Sequence, residues 1–158
     1  MQYPRYKLPF DELTTTDERI DFVHNQLVAS QLALNQLLKK EGLPPMAEIT
    51  RQVPLRVTAE PLQGAKIQDA SPLTGRITSV AFHYPEGCDA LVEVAFGHKD
   101  TWVMPGKVDT FIALNDATPV FVVNEPITKG EELWMIVRNG DGGNAHSVSV
   151  IPTIRGVE

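Results

Sequence analysis

The chain has 158 residues, a mass of 17.5 kDa and a net charge of −6, with 42% apolar and 22% charged residues. That is enough apolar material for one folded domain with an appendage, and too little Lys and Arg for a protein that grips a phosphate backbone, so no nucleic-acid partner is expected. No apolar run approaches the ~20 residues of a membrane helix, the opening MQYPRYKLPFDE lacks the apolar stretch of a signal peptide, and Cys88 is the single cysteine. Membrane contact, export, an intrachain disulfide and a cysteine-based zinc site are therefore not expected.

Residues 1–14, with Pro4, Pro9 and three aromatics, read as an extended N-terminal arm. Residues 15–42 read as one long α-helix that closes at Gly42. Thr15 and Glu18 have capping-box spacing, and Asp17 and Glu18 set negative charge at the positive end of the helix dipole. Lys39 and Lys40 sit at its negative end, Gly42 fits the left-handed position after the last turn, and Pro44 and Pro45 forbid continuation.

This helix carries a heptad. Leu13, Thr16, Ile20, Val23, Leu27, Ser30, Leu34 and Leu37 recur in alternating steps of three and four. Leu38 widens the stripe to the breadth of a helix on a globular core or in a bundle of three or more. Phe22, Val28 and Leu32 lie off the stripe and suggest contact on a second face. No Asp, Glu, Lys or Arg occurs between Asp21 and Lys39. A helix lying on its own domain and a helix shared between copies both fit this pattern, and the scarcity of charge favours the shared one. Ser30, at a d position, argues against a simple tight dimer.

From residue 43 to 158 the pattern becomes β. The stretch 49–59 (ITRQVPLRVTA) alternates, but Pro54 restricts it to a sheet edge or a bulge. Further strand segments are 65–68, 75–82, 90–96, 110–114, 119–123, 132–138 and 146–154, separated by Pro- and Gly-containing turns. The spacing predicts a mostly β fold, an antiparallel β-sandwich of jelly-roll type, and leaves no room for βαβ winding. Turns are expected at Tyr84–Gly87, at Met104–Gly106 and at Thr128–Glu131. Asn139–Asn144 (NGDGGN) reads as a positive-φ hairpin joining the last two strands.

Chemistry is sparse. No G-x-S-x-G is present; Ser71, Ser79, Ser147 and Ser149 have no evident base, and Cys88 reads as a small buried hydrophobe. No phosphate-binding loop occurs, and the NGDGGN glycines precede a strand, not a helix. His83, His98 and His146 raise a cupin-like metal centre, yet none has a histidine two residues away, so strand-end histidines bonded to loop carbonyls are favoured and neither a metal nor a cofactor is expected. Asn139, Asp141 and Asn144 offer oxygens to a calcium ion or a ligand, though one carboxylate is little charge and the EF-hand spacing fails. Trp134 lies inside an apolar strand and reads as core; Trp102, beside charged residues in an expected loop, is the better candidate for an exposed sugar contact.

Arm, helix and compact antiparallel sandwich together resemble the auxiliary virion proteins of tailed viruses, the capsid decoration and small fibre proteins. The stretches SPLTGRITSVAFHYPEGCDALVEVAFGH and LNDATPVFVVNEPITKGEELWMIVRNGDGGNAHSVSV carry the resemblance. It implies a non-enzymatic, symmetric homo-oligomer, most readily a trimer, that docks on a major capsid or tail protein. Location would be the virion, or the cytoplasm for a cellular protein. On that reading Leu13, Ile20, Val23, Leu27, Leu34, Leu37 and Leu38 supply the oligomer contact. A carbohydrate or host-surface binding module using Trp102 and the 139–144 loop is the alternative, and a cupin-like enzyme the third.

Overall fold

The computed structural model describes residues 16–42 and 47–158 and divides the chain into two units, Met1–Ala47 and Glu48–Glu158. In the first unit, α1 spans Thr16–Lys40 with both lysines in its last turn. Gly42, at φ +71°, occupies the left-handed position, and its N–H reaches the Lys39 carbonyl at 3.1 Å. The arm at 1–14 with its Leu13, Thr15 of the capping pair, and the prolines at 44 and 45 lie outside the described residues.

The second unit is an antiparallel β-sandwich. Its strands are β1 (Ile49–Gln52), β2 (Leu55–Ala59), β3 (Gly64–Ala70), β4 (Thr74–His83), β5 (Val92–His98), β6 (Thr101–Met104), β7 (Ile112–Ala113), β8 (Val120–Ile127), β9 (Glu132–Asn139) and β10 (His146–Val157). One sheet runs β1-β10-β4-β8, with β2 also on β10; the other runs β3-β9-β5-β6, with β7 on β5. Pro54 acts as expected: it splits 49–59 into two short strands, both at a sheet edge against β10.

Alternate side chains of the two sheets meet in one core. Leu55, Ile77, Val80, Phe82, Val92, Val94, Phe96, Leu133, Met135, Val137, Val148, Val150 and Ile154 are all buried there, with Leu73, Tyr84 and Cys88 closing it from the connections. Fully burying such a side chain stabilises by about 1.5–3 kcal/mol, so this interior dominates the energetics of the unit.

Three local expectations need correction. The 139–144 loop is not a hairpin, because β9 and β10 belong to different sheets and the loop crosses between them. Its glycines do not use positive φ either; at Gly140 a Cβ would stand 3.1 Å from the Leu91 carbonyl oxygen, a tight approach. Trp102 is on a strand, β6, paired with Gly97 of β5, and not in a loop. Trp134 is buried, but it alternates with the core-facing Leu133 and Met135 and so lies on the opposite, outer face of its sheet.

Candidate functional site

The helix face is the first feature with functional content. Ile20, Leu27 and Leu37 are 58%, 61% and 60% exposed, Val23 and Leu34 are exposed as well, and Leu38 is half-buried. Ser30 is exposed at its d position, and Val28 and Leu32 expose a second apolar strip. The seven predicted oligomerisation residues therefore lie, apart from the undescribed Leu13, on one helix with little or partial cover. An apolar stripe of this regularity is what a coiled coil or bundle uses as its seam.

A second apolar cluster sits on the outer face of the β3-β9-β5-β6 sheet. The Trp134 indole lies against Gly97, where any Cβ would come within 2.2 Å of the ring and of the Thr101 carbonyl oxygen. Its Nε1–H donates to the Lys99 carbonyl at 2.7 Å. Trp102 meets Trp134 edge to face at 5.1 Å, and Phe111 meets Trp102 in the same way at 5.6 Å. The Arg138 guanidinium lies 4.0 Å from the Phe111 ring centroid, and the Lys66 ammonium 5.9 Å from that of Trp134. Trp102 is half-buried in this cluster, so much of its surface is already committed to packing.

The 139–144 loop is held by its own bonds. Asn139 is buried and its Nδ2 donates to the carbonyls of Ala59, Glu60 and Asn144. The Asp141 carboxylate accepts from Gly143 N–H at 2.7 Å, Asn144 N–H at 3.2 Å and Asn144 Nδ2 at 3.0 Å, and pairs with His146 Nε2 at 2.9 Å. These donors, led by the Gly143 N–H and His146, hold the Asp141 carboxyl well below the usual carboxylate range. The structure thus brings Asn139, Asp141 and Asn144 together, with Trp102 on a different element. The Asp141 carboxylate and Asn139 Oδ1 already accept protein hydrogens.

The three histidines of the β unit do not converge; among the described residues no group of three or more His, Cys, Asp or Glu is placed to hold a metal. His83 Nδ1 meets Thr118 Oγ1 at 2.9 Å, and His146 pairs with Asp141. Each partner is a side chain, where loop carbonyls were expected. His98 is the residue whose role the sequence does not display. It is buried between two carboxylates, Nδ1 on Glu131 and Nε2 on Glu125 at 3.0 Å, while Lys99 Nζ approaches Glu131 at 3.4 Å. Burial pushes the Glu131 carboxyl up, but the bonds from His98 and the Thr128 N–H outweigh it and hold it below its ordinary value. This clamp ties the β8–β9 connection to the end of β5.

Two further groups are displaced towards inertness. Burial pushes the Cys88 thiol up, aided by Asp89, so the thiolate needed for nucleophilic attack is disfavoured. Burial likewise raises the Tyr84 phenol, whose hydroxyl donates to the Ile112 carbonyl at 2.6 Å.

No protein-family model matches the chain, and no curated protein matches it. Among solved structures, the chain is similar to the Yersinia pseudotuberculosis-derived mitogen (YPM), with a TM-score of 0.44 and 14% identity over 67% of this chain and 87% of that one. It is also similar to PirA, with a TM-score of 0.34 and 16% identity over 63% of this chain and 92% of that one. At these scores neither likeness bears on what the chain does.

Proposed function

We propose that the chain is a structural component of a symmetric homo-oligomer, joined through the stripe from Leu13 to Leu38, with the β-sandwich displayed as a platform. The observation that carries this reading is the exposure of Ile20, Val23, Leu27, Leu34 and Leu37 at heptad spacing on one helix. Exposed apolar surface costs about 25 cal/mol per Å², and a second copy of the same stripe removes that cost symmetrically. A trimer fits best, because Leu38 broadens the seam beyond two strands and Ser30 interrupts the packing of a tight pair. The virion setting, as a capsid decoration or minor head or tail component on a major capsid or tail protein, rests on the resemblance carried by the β segments.

Light scattering coupled to size exclusion tests the self-association. The full chain is expected at three times its 17.5 kDa mass. Leu27→Glu with Leu34→Glu, two exposed helical positions, is expected to lower the mass while the sandwich stays folded by circular dichroism. A single-chain mass for the unaltered protein at every concentration would overturn the proposal. The carbohydrate alternative is less favoured, since Trp102 and the Asn139–Asn144 loop use their recognition groups internally.

A further inference from the structure

The sandwich has a second adhesive feature, independent of the helix. Four strand groups end its two sheets, and three of them are guarded in the ways that sheet edges usually are. The β1–β2 edge is broken at Pro54 and carries Arg51 and Arg56; β3 carries Lys66 and Asp69; β6 and β7 have four and two residues. The fourth edge, β8, has eight residues and among the described residues pairs only with β4.

Its first half, Val120-Phe121-Val122-Val123, has no charge, no glycine and strong β-formers throughout. Val120 and Val122 are 62% and 88% exposed, and Val122 is the most exposed large apolar side chain of the sandwich. The second half is closed. The Arg76 guanidinium bonds the Asn124 carbonyl at 3.0 Å, Glu125 is engaged by His98, and Pro126 has no N–H to offer.

The ladder sets which backbone groups are available. Phe82 N–H donates to the Pro119 carbonyl, and the register pairs Val80 with Phe121, so Pro119 and Phe121 turn their backbone groups towards β4. Antiparallel alternation then turns the N–H and C=O of Val120 and Val122 away from the sheet.

We propose that β8 is a self-pairing edge: two copies join antiparallel about a two-fold axis through Phe121. Val120 of one copy then exchanges both backbone hydrogen bonds with Val122 of the other, and the reverse pair does the same. All four open groups on each strand are satisfied, and both hydrogen-bonded cross-strand pairs are valine on valine, with Phe121 opposite its own copy between them. The merged outer face stays free of charge around the joint, because Val122 lies beside Ser79 and Thr153, and Val120 beside Ala81 and Ile151. A second copy is the occupant this edge fits, since the same short segment supplies both halves of the match. So short a joint buries less than a stable interface needs, so it acts weakly alone and strongly where another contact already gathers copies.

The test uses the full chain carrying Leu27→Glu and Leu34→Glu, which isolates the edge from the helix. Sedimentation from micromolar to millimolar concentration is expected to show reversible dimers, with slowed hydrogen exchange at the Val120 and Val122 amides as they form. Val122→Lys, at a side chain 88% exposed, and separately Val122→Pro, which deletes two of the four bonds, should each raise the dimerisation midpoint by about tenfold or more. A single-chain mass up to millimolar concentration with freely exchanging Val120 and Val122 amides overturns the proposal. So do dimers that neither variant weakens. Loss of the helix-borne oligomer leaves this result readable, because the two sets of substitutions share no residue.

Discussion

Trp102→Ala separates packing from recognition at the aromatic cluster. Trp102 makes two edge-to-face contacts, with Trp134 at 5.1 Å and Phe111 at 5.6 Å, each contributing about 0.5–1.5 kcal/mol beyond buried area. Truncating a fully buried tryptophan costs about 3–5 kcal/mol, and the half-buried position of Trp102 takes roughly half of that. Uncovering Trp134, which is only 3% exposed, adds to the loss. The expected destabilisation is about 2–3 kcal/mol, a fall of roughly 10 °C or more in Tm for a unit of this size. Urea unfolding followed by tryptophan fluorescence and by far-ultraviolet circular dichroism reads it. Both tryptophans of the chain sit in this cluster, so Trp134 reports locally in the variant, and coincident transitions establish two-state behaviour. Trp102→Phe keeps an aromatic edge and should recover about half of the loss. A loss below about 0.5 kcal/mol, the level of an ordinary surface change, would refute the packing argument, and glycan binding abolished at unchanged stability would restore the sugar-contact reading.

Two other substitutions probe the strained and charged parts of the sandwich. Leu62 sits at φ +57° in the turn closed by Gln63 N–H on the Glu60 carbonyl, and it is 72% exposed. The left-handed conformation costs a non-glycine residue about 1–2 kcal/mol and the added freedom of unfolded glycine returns about 0.4–1 of it, so Leu62→Gly should stabilise by up to about 1 kcal/mol, seen as a higher urea midpoint at unchanged slope. Glu131, whose carboxyl is held below its ordinary value of 4.5, favours the folded state when ionised. Its contribution is complete above that pH and is lost as pH falls below it; Glu131→Gln should lower stability at neutral pH by about 1–2 kcal/mol and flatten the acid limb of a Tm-against-pH curve. An acid limb as steep as that of the unaltered chain would remove the clamp from the account.

What the sequence displays and what it hides follow from the range of the interactions. The lysines of the last helical turn, Gly42 and the break at Pro54 act within a few residues, and each appears where the local sequence puts it. The two-residue alternation of β10 is as plain, while in β4 a bulge between Ile77 and Ser79 interrupts it. Trp134 is different: Leu133-Trp134-Met135-Ile136-Val137 is apolar at every position, so alternation cannot say which side faces the core, and only Gly97, glycine because of the indole over it, settles the matter. His98 lies 27 and 33 residues from its carboxylate partners, beyond any local spacing rule. The 139–144 loop mimics a hairpin in composition, but Asn139 bonds the carbonyls of Ala59 and Glu60 some 80 residues away, and that long-range anchor sends the chain into the other sheet.

Four titrating groups are displaced from their ordinary values by burial and by their bonds. The bonds to Asp141 and Glu131 favour their ionised forms, while burial favours the protonated forms of Cys88 and Tyr84. Every buried polar side-chain atom among the described residues also has a hydrogen-bond partner. Polar groups spent on internal bonds stiffen the sandwich and hold its strands in register. The exposed large apolar side chains of the described residues include those of the helix stripe and of the β8 edge, besides Leu62, Leu91 and Val108. On the two proposals above, the helix stripe gathers copies about an axis and the β8 edge joins them in pairs, so the two together would build an assembly larger than either could form alone.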